Sequence, residues 1–134
     1  MRVDGRCHCG FLRYVAEVDP DKVEICHCTD CQSLSGSAFR VVVPAEPGTF
    51  KLLSGEPRTY VKTAESGNKR IQAFCPECGT SIYSTAVAEG PQTIGLRVGA
   101  LLQRDQLPPR IQYWTRSRRH WVTGIAALPA VEKE

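Results

Sequence analysis

At 134 residues and a formal charge of +3, the chain is long enough for one domain with a modest core and too short for several. Its hydrophobic (42%) and charged (23%) fractions are those of a globular protein, and no run approaches the roughly 18 apolar residues of a membrane span. The charge is small for a polyanion binder, and it would cancel if the seven cysteines were held as thiolates on two divalent metal ions.

From the N-terminus, Met1-Arg2-Val3-Asp4-Gly5 lacks the apolar stretch of a secretory signal. A cytoplasmic, reducing compartment is therefore expected, where clustered cysteines are metal ligands more often than disulfides. The first cluster, Cys7-His8-Cys9, precedes a segment from Leu12 to Val18 in which Leu12, Tyr14, Ala16 and Val18 share one face, the signature of a half-buried strand. The middle cluster, Cys26-His27-Cys28-Thr29-Asp30-Cys31, runs into Thr29 to Leu34, which can close one helical turn. Short strands are expected over Phe39 to Val43, Thr49 to Leu53, Arg58 to Lys62 and Arg70 to Phe74. The third cluster, Cys75-Pro76-Glu77-Cys78, leads into strands expected over Ser81 to Ser84, Thr93 to Val98 and Ile111 to Trp114. Thr115 to Ala127 reads equally as turn, strand or short helix. Prolines at 20, 44, 47, 57, 91, 108 and 109 punctuate these segments, which favours strands over long helices. The expectation is one mainly β domain, residues 1–134, of small twisted antiparallel sheets, with metal sites where strands meet turns. In so small a core, metal binding supplies part of the folding free energy.

Cys-x-Cys and Cys-x-x-Cys steps deliver thiolates in preassembled pairs, and seven ligands do not divide evenly between two tetrahedral sites. Residues i and i+2 of an extended strand share a face. Cys7 and Cys9 can thus hold one metal with His8 pointing away, and Cys26 and Cys28 can do the same with His27 pointing away. Cys75-Pro76-Glu77-Cys78-Gly79 reads as a knuckle turn, with Gly79 suited to a positive φ. One partition joins Cys7, Cys9, Cys75 and Cys78 in a closed site and leaves Cys26, Cys28 and Cys31 as a local three-thiolate site. The other pairs Cys75 and Cys78 with two middle cysteines and strands Cys7 and Cys9. The first uses every thiol and is preferred.

Three thiolates leave a zinc complex with one net negative charge and an open position. So electron-rich a metal is a poorer activator of water than one held by three imidazoles. A thiol is the natural fourth ligand, since coordination favours its deprotonation. The chemistry indicated is thiol activation, such as adding a thiolate to a carbonyl.

The motifs Gly5-Arg6-Cys7-His8-Cys9-Gly10, Cys26-His27-Cys28-Thr29-Asp30-Cys31 with Ser35-Gly36-Ser37-Ala38-Phe39, and Phe74-Cys75-Pro76-Glu77-Cys78-Gly79-Thr80 occur in the order of a known family. Leu96-Arg97-Val98-Gly99-Ala100-Leu101, Pro108-Pro109 and Trp121 follow in place. The chain resembles the glutathione-dependent formaldehyde-activating enzymes, the CENP-V/GFA domain, with an Mss4-like fold. The resemblance implies a structural zinc on Cys7, Cys9, Cys75 and Cys78, and a catalytic zinc on Cys26, Cys28 and Cys31. It also implies a carbon–sulfur lyase activity that joins glutathione, or a similar small thiol, to formaldehyde or another small aldehyde.

Glutathione carries two carboxylates and an ammonium, so its site needs basic or amide donors. Arg40 and the cluster Arg116, Arg118 and Arg119 offer them, but none stands at a diagnostic spacing; the loop Ser35 to Ser37 is a candidate ligand-facing turn. Two other functions compete. One is a non-catalytic zinc module that recognises a protein or nucleic acid through Arg116 to His120. The cancelled charge and the lack of a basic stripe interleaved with aromatics argue against nucleic acid. The other leaves the second site empty or loosely filled, with Cys26, Cys28 and Cys31 as redox thiols; Cys28 and Cys31 have dithiol spacing, but without the βαβ surroundings such motifs use. Oligomeric state is not legible in the sequence.

Overall fold

The computed structural model describes residues 1–134. Its strands are β1 (Arg2–Arg6), β2 (Arg13–Glu17), β3 (Glu24–Cys26), β4 (Arg40–Pro44), β5 (Lys51–Ser54), β6 (Arg58–Thr63), β7 (Lys69–Phe74), β8 (Ser81–Ala86), β9 (Gly95–Arg97) and β10 (Ile111–Tyr113). One helix, α1 (Thr29–Ser35), follows β3. The sequence-predicted strands fall on β2 and on β4 to β10, and the expected helical turn is α1. Two strands were not anticipated. β1 breaks its apolar alternation with Gly5, and β3 has only three residues, too few for a periodic signal. Residues 115–117 and 122–127, left open by the sequence, form 3-10 turns.

The protein is mainly β. β1, β2 and β5 form an antiparallel three-stranded sheet, and the other strands form one seven-stranded sheet ordered β10-β3-β4-β9-β8-β7-β6. This second sheet is antiparallel except at its edge, where β10 lies parallel to β3.

Burial on β2 follows its alternation, with Leu12, Tyr14, Ala16 and Val18 at most 3% exposed. They join Val3 of β1, Val43 of β4 and Leu96 of β9 in a core of sixteen buried residues. Each large apolar side chain contributes about 1.5–3 kcal/mol by burial, and few of the sixteen are large. Two of them are Cys7 and Cys75, so one thiol cluster is embedded in the core itself.

Gly5 faces Tyr14 across the β1–β2 pair, and the Tyr14 ring lies where a Cβ on Gly5 would stand. The ring is 1% exposed and cannot swing outward without opening the core. Gly5→Ala is therefore expected to cost about 1–3 kcal/mol by overpacking. The test is thermal unfolding of the variant, with Tyr14→Leu in the same background recovering part of the loss.

Candidate metal centre and adjoining cavity

The thiols of Cys7, Cys9, Cys75 and Cys78 have their sulfurs within 4.8 Å of one another. Cys7 Sγ is 3.6 Å from Cys9 Sγ, which is 3.8 Å from Cys75 Sγ. Four thiolates around a zinc at about 2.3 Å would stand about 3.8 Å apart, so the cluster fits a tetrahedral ion. The expected strand geometry for Cys7 and Cys9 is corrected. β1 ends at Arg6, and Cys7 to Gly10 is a turn closed by Gly10 N–H donating to Cys7 O at 3.1 Å. Gly10 takes φ +84° and Gly79 φ +79°, as Gly79 was expected to do. The cluster is thus two facing knuckles, bridged by His8 N–H donating to Thr80 Oγ1 at 3.0 Å.

Cys26, Cys28 and Cys31 form a second group, again with sulfurs within 4.8 Å of one another. Here too the strand rationale is corrected. Cys26 closes β3, Cys28 is the N-cap of α1, and Cys31 lies in its first turn. Cys28 Sγ accepts the Cys31 N–H at 3.2 Å, the capping bond usually made by an oxygen. The helix start gathers the triplet. His27 points away as expected. It is fully buried, with Nε2–H donating to Gln112 Oε1 at 2.8 Å and its ring edge-on to Phe39.

Metal-free thiols this close cannot all ionise. Hydrogen bonding from Cys31, ahead of opposing burial, holds Cys26 down at about 5, and the same interaction pushes Cys31 up, out of the range in which it would ionise. A bound cation removes that conflict by attracting every thiolate at once. Both clusters could hold metal ions.

The triplet opens into a 470 Å³ cavity, within the roughly 300–1,000 Å³ of small-molecule sites. Its floor is one face of the seven-stranded sheet, and the register explains which side chains appear there. Cys26 stands opposite Arg40, and Glu24 opposite Val42, which stands opposite Arg97. Pro44, Gly95, Ser84 and Gln72 form a second row, and Arg70 with Lys62 a third. The residues between these rows, Val43 and Leu96 among them, point to the core. Sequence reasoning picked out Arg40 but missed Arg70, Arg97 and Lys62. The alternation of Arg70 with Gln72 was a visible signal, but nothing local says that the far face of a strand lines a cavity. Burial, then the neighbouring Arg40 cation, pulls Arg97 down to about 9; it remains a cation at neutral pH.

The family model for glutathione-dependent formaldehyde-activating enzyme matches residues 2–117. The chain belongs to this family. No curated protein matches it. A solved Rhodobacter sphaeroides protein is similar at TM-score 0.60 and 19% identity, over 84% of this chain and 99% of that one, a likeness of fold. As a member of the family, the chain carries all seven cysteines of the resemblance in the two groups that the preferred partition requires.

Other expectations for a formaldehyde-activating family site are revised. Ser35, Gly36 and Ser37 do not line the thiol cavity; Leu34 and Trp114 do. Of the basic stretch, Arg116 borders an adjacent 440 Å³ cavity, which shares Cys28, Lys62, Ala64 and Trp114 with the first, while Arg118 and Arg119 border neither. Arg116 pairs with Glu65 at 3.3 Å and stacks over Trp114 at 4.9 Å. Trp114 has φ +58° and is the one non-glycine residue with positive φ, an outlier for so bulky a side chain. No helix is long and apolar enough to cross a membrane.

Two outcomes follow. In the metal-free protein, alkylation of Cys26 should rise with pH through about 5, because the thiolate is the nucleophile and its folded value lies there. Cys31→Ala, which removes the largest cause, should move that rise upward toward ordinary thiols, read by mass spectrometry of the alkylated peptide. Trp114→Gly should leave stability against urea unchanged or higher, since glycine adopts φ +58° without strain. A clear loss of stability would mean that the indole's packing outweighs its backbone cost.

Proposed function

We propose that this protein is a zinc-dependent carbon–sulfur lyase of the aldehyde-activating type. It would add a small thiol such as glutathione to formaldehyde or another small aldehyde in the cavity beside Cys26, Cys28 and Cys31. The carrying observation is a three-thiol cluster that opens directly into a small-molecule-sized cavity. The partner cluster, by contrast, is closed by four thiols, two of them buried in the core. Under this reading Cys7, Cys9, Cys75 and Cys78 hold a structural zinc, and Cys26, Cys28 and Cys31 hold the catalytic one.

When bound, the catalytic zinc supplies a site where a thiol is kept as its thiolate near neutral pH. The chain's own residues do the rest. Lys62 and Arg70 put positive charge in the cavity wall, which suits a carboxylate-bearing thiol. Lys62 is held by Asp30 at 3.0 Å, which ties β6 to the helix bearing Cys31. Leu34, Val42 and Pro44 give the cavity apolar surface and exclude water that would compete with the thiol for the carbonyl carbon. In the addition, the sulfur bonds to that carbon, the carbonyl π pair moves to oxygen, and the proton given up by the thiol ends on that oxygen. A cytoplasmic location and a domain spanning 1–134 belong to the same reading.

Native mass spectrometry should find two zinc ions per chain. Cys28→Ser should lose one of them and the addition activity while staying folded; Cys7→Ser should unfold, because its thiol sits in the core. Millimolar glutathione should change the thiolate charge-transfer bands of cobalt-loaded protein. Two bound metals with bands blind to glutathione would instead favour a non-catalytic zinc module, and a single bound metal would favour redox thiols.

A further inference from the structure

Two arginines of the seven-stranded sheet are buried outside any ion pair with a carboxylate. Arg40, at the start of β4, is 6% exposed and Arg97, at the end of β9, is 7% exposed. Neither joins any of the molecule's ion pairs. Their shared acceptor is a neutral amide, the Gln72 side-chain oxygen, 3.0 Å from Arg40 Nη1 and 2.7 Å from Arg97 Nη2. Arg40 Nε and Nη2 and Arg97 Nε have no hydrogen-bond partner. An unpaired buried guanidinium is costly, and two sharing one acceptor repel each other as well. A zinc held by the three thiolates would not balance them: it would carry one negative charge, against two arginines here and Arg70 beyond, which donates only to Ser84 Oγ. The one carboxylate that lines the cavity, Glu24, pairs with none of them.

Depth separates the groups that could neutralise this pair. Arg40 stands opposite Cys26 in the β3–β4 register, beside the thiol cluster, whereas Lys62, which lines both cavities, and Arg116 are more exposed and already paired with Asp30 and Glu65. The carbon attacked by a thiolate has to reach the cluster, so a charge one bond from that carbon falls near Arg40 and Arg97. The carboxylates of a glutathione-like thiol stand several bonds from its sulfur and extend outward. Resting on the thiol-addition reading, we infer that the carbonyl substrate is a small aldehyde with a carboxylate beside its carbonyl carbon, seated on Arg40 and Arg97. Formaldehyde offers these cations nothing to hold. The step is balanced as before: the carbon–sulfur bond forms, the π pair moves to oxygen, and the thiol's proton is returned there. The carboxylate is unchanged and no oxidant is required.

Glycolate, which has the carboxylate but no electrophilic carbon, is titrated into the zinc- and cobalt-loaded protein, with ethylene glycol as the neutral control. Glycolate should bind, shift the cobalt bands and be weakened at least tenfold by Arg97→Gln, with Arg97→Lys in between because it keeps the charge and loses the fork. Ethylene glycol should do nothing. In turnover with glutathione, glyoxylate should exceed formaldehyde in kcat/KM by at least tenfold. That preference should collapse in Arg97→Gln while the KM for glutathione holds. Should Arg97→Gln fail to fold, Arg97→Lys and the wild-type titration still decide the matter. The inference is overturned if glycolate does not bind, or if Arg97→Gln raises the glutathione KM and leaves the aldehyde preference intact. It is overturned too if glycolate binds without moving the cobalt bands, which would put the anion in the neighbouring 430 Å³ cavity that Arg40 and Arg97 also line. Failure of the underlying reading looks different: glutathione leaves the bands unchanged while glycolate shifts them, which keeps the carboxylate site and removes the thiol addition.

Discussion

Mutual repulsion among crowded thiolates is the constraint on which the rest of this structure depends. Seven thiols are gathered into two groups whose sulfurs lie within 4.8 Å of each other, and without a cation their protons come off unevenly. Cys26 is drawn down to about 5 while Cys31 is driven up. A divalent metal would turn that conflict into attraction, and it would do so in two different settings. At Cys7 and Cys75 the gain goes into the core, which these residues share with Leu12, Tyr14 and Leu96. At Cys26, Cys28 and Cys31 it goes into a half-exposed wall that a ligand can reach.

The seven-stranded sheet then separates fold from chemistry by its two faces. Period-two alternation sends Val43 and Leu96 into the core, and Val42, Arg97 and Gly95 into the cavity. The same strands thus bury the four-thiol cluster and floor the cavity of the three-thiol one. This economy has an electrostatic cost, since Arg40 and Arg97 lie inside the protein with a single amide oxygen between them. The cavity thus sets a thiol cluster that could hold a metal beside two buried cations, and a ligand that belongs there should satisfy both.

Much of this was legible in the residues. The Leu12 to Val18 alternation gave a buried strand face, and Gly79 after a Cys-x-x-Cys step gave the positive φ of a knuckle. The division of the seven cysteines into four and three followed from their spacing. The reason offered for Cys-x-Cys pairing was incomplete, since neither pair lies wholly on a strand. The Cys7 pair turns through Gly10, and Cys28 caps a helix. Short spacings bring sulfurs together by several backbone routes, which is why the right grouping survived the wrong local geometry. The loop Ser35 to Ser37 lay next to the cysteines in sequence, yet its residues turn away from their cavity.

The sequence by itself determined the thiol groups, eight of the ten strands and the family resemblance, because each rests on residues within a few positions of one another. Tertiary structure alone decided that Arg70, Arg97, Lys62 and Trp114 surround the three-thiol cluster. Those residues come from β6, β7, β9 and the segment after β10, and only the order β10-β3-β4-β9-β8-β7-β6 brings them together. Strand pairing between distant segments is set by the global packing of both sheet faces, a property no short window of sequence contains.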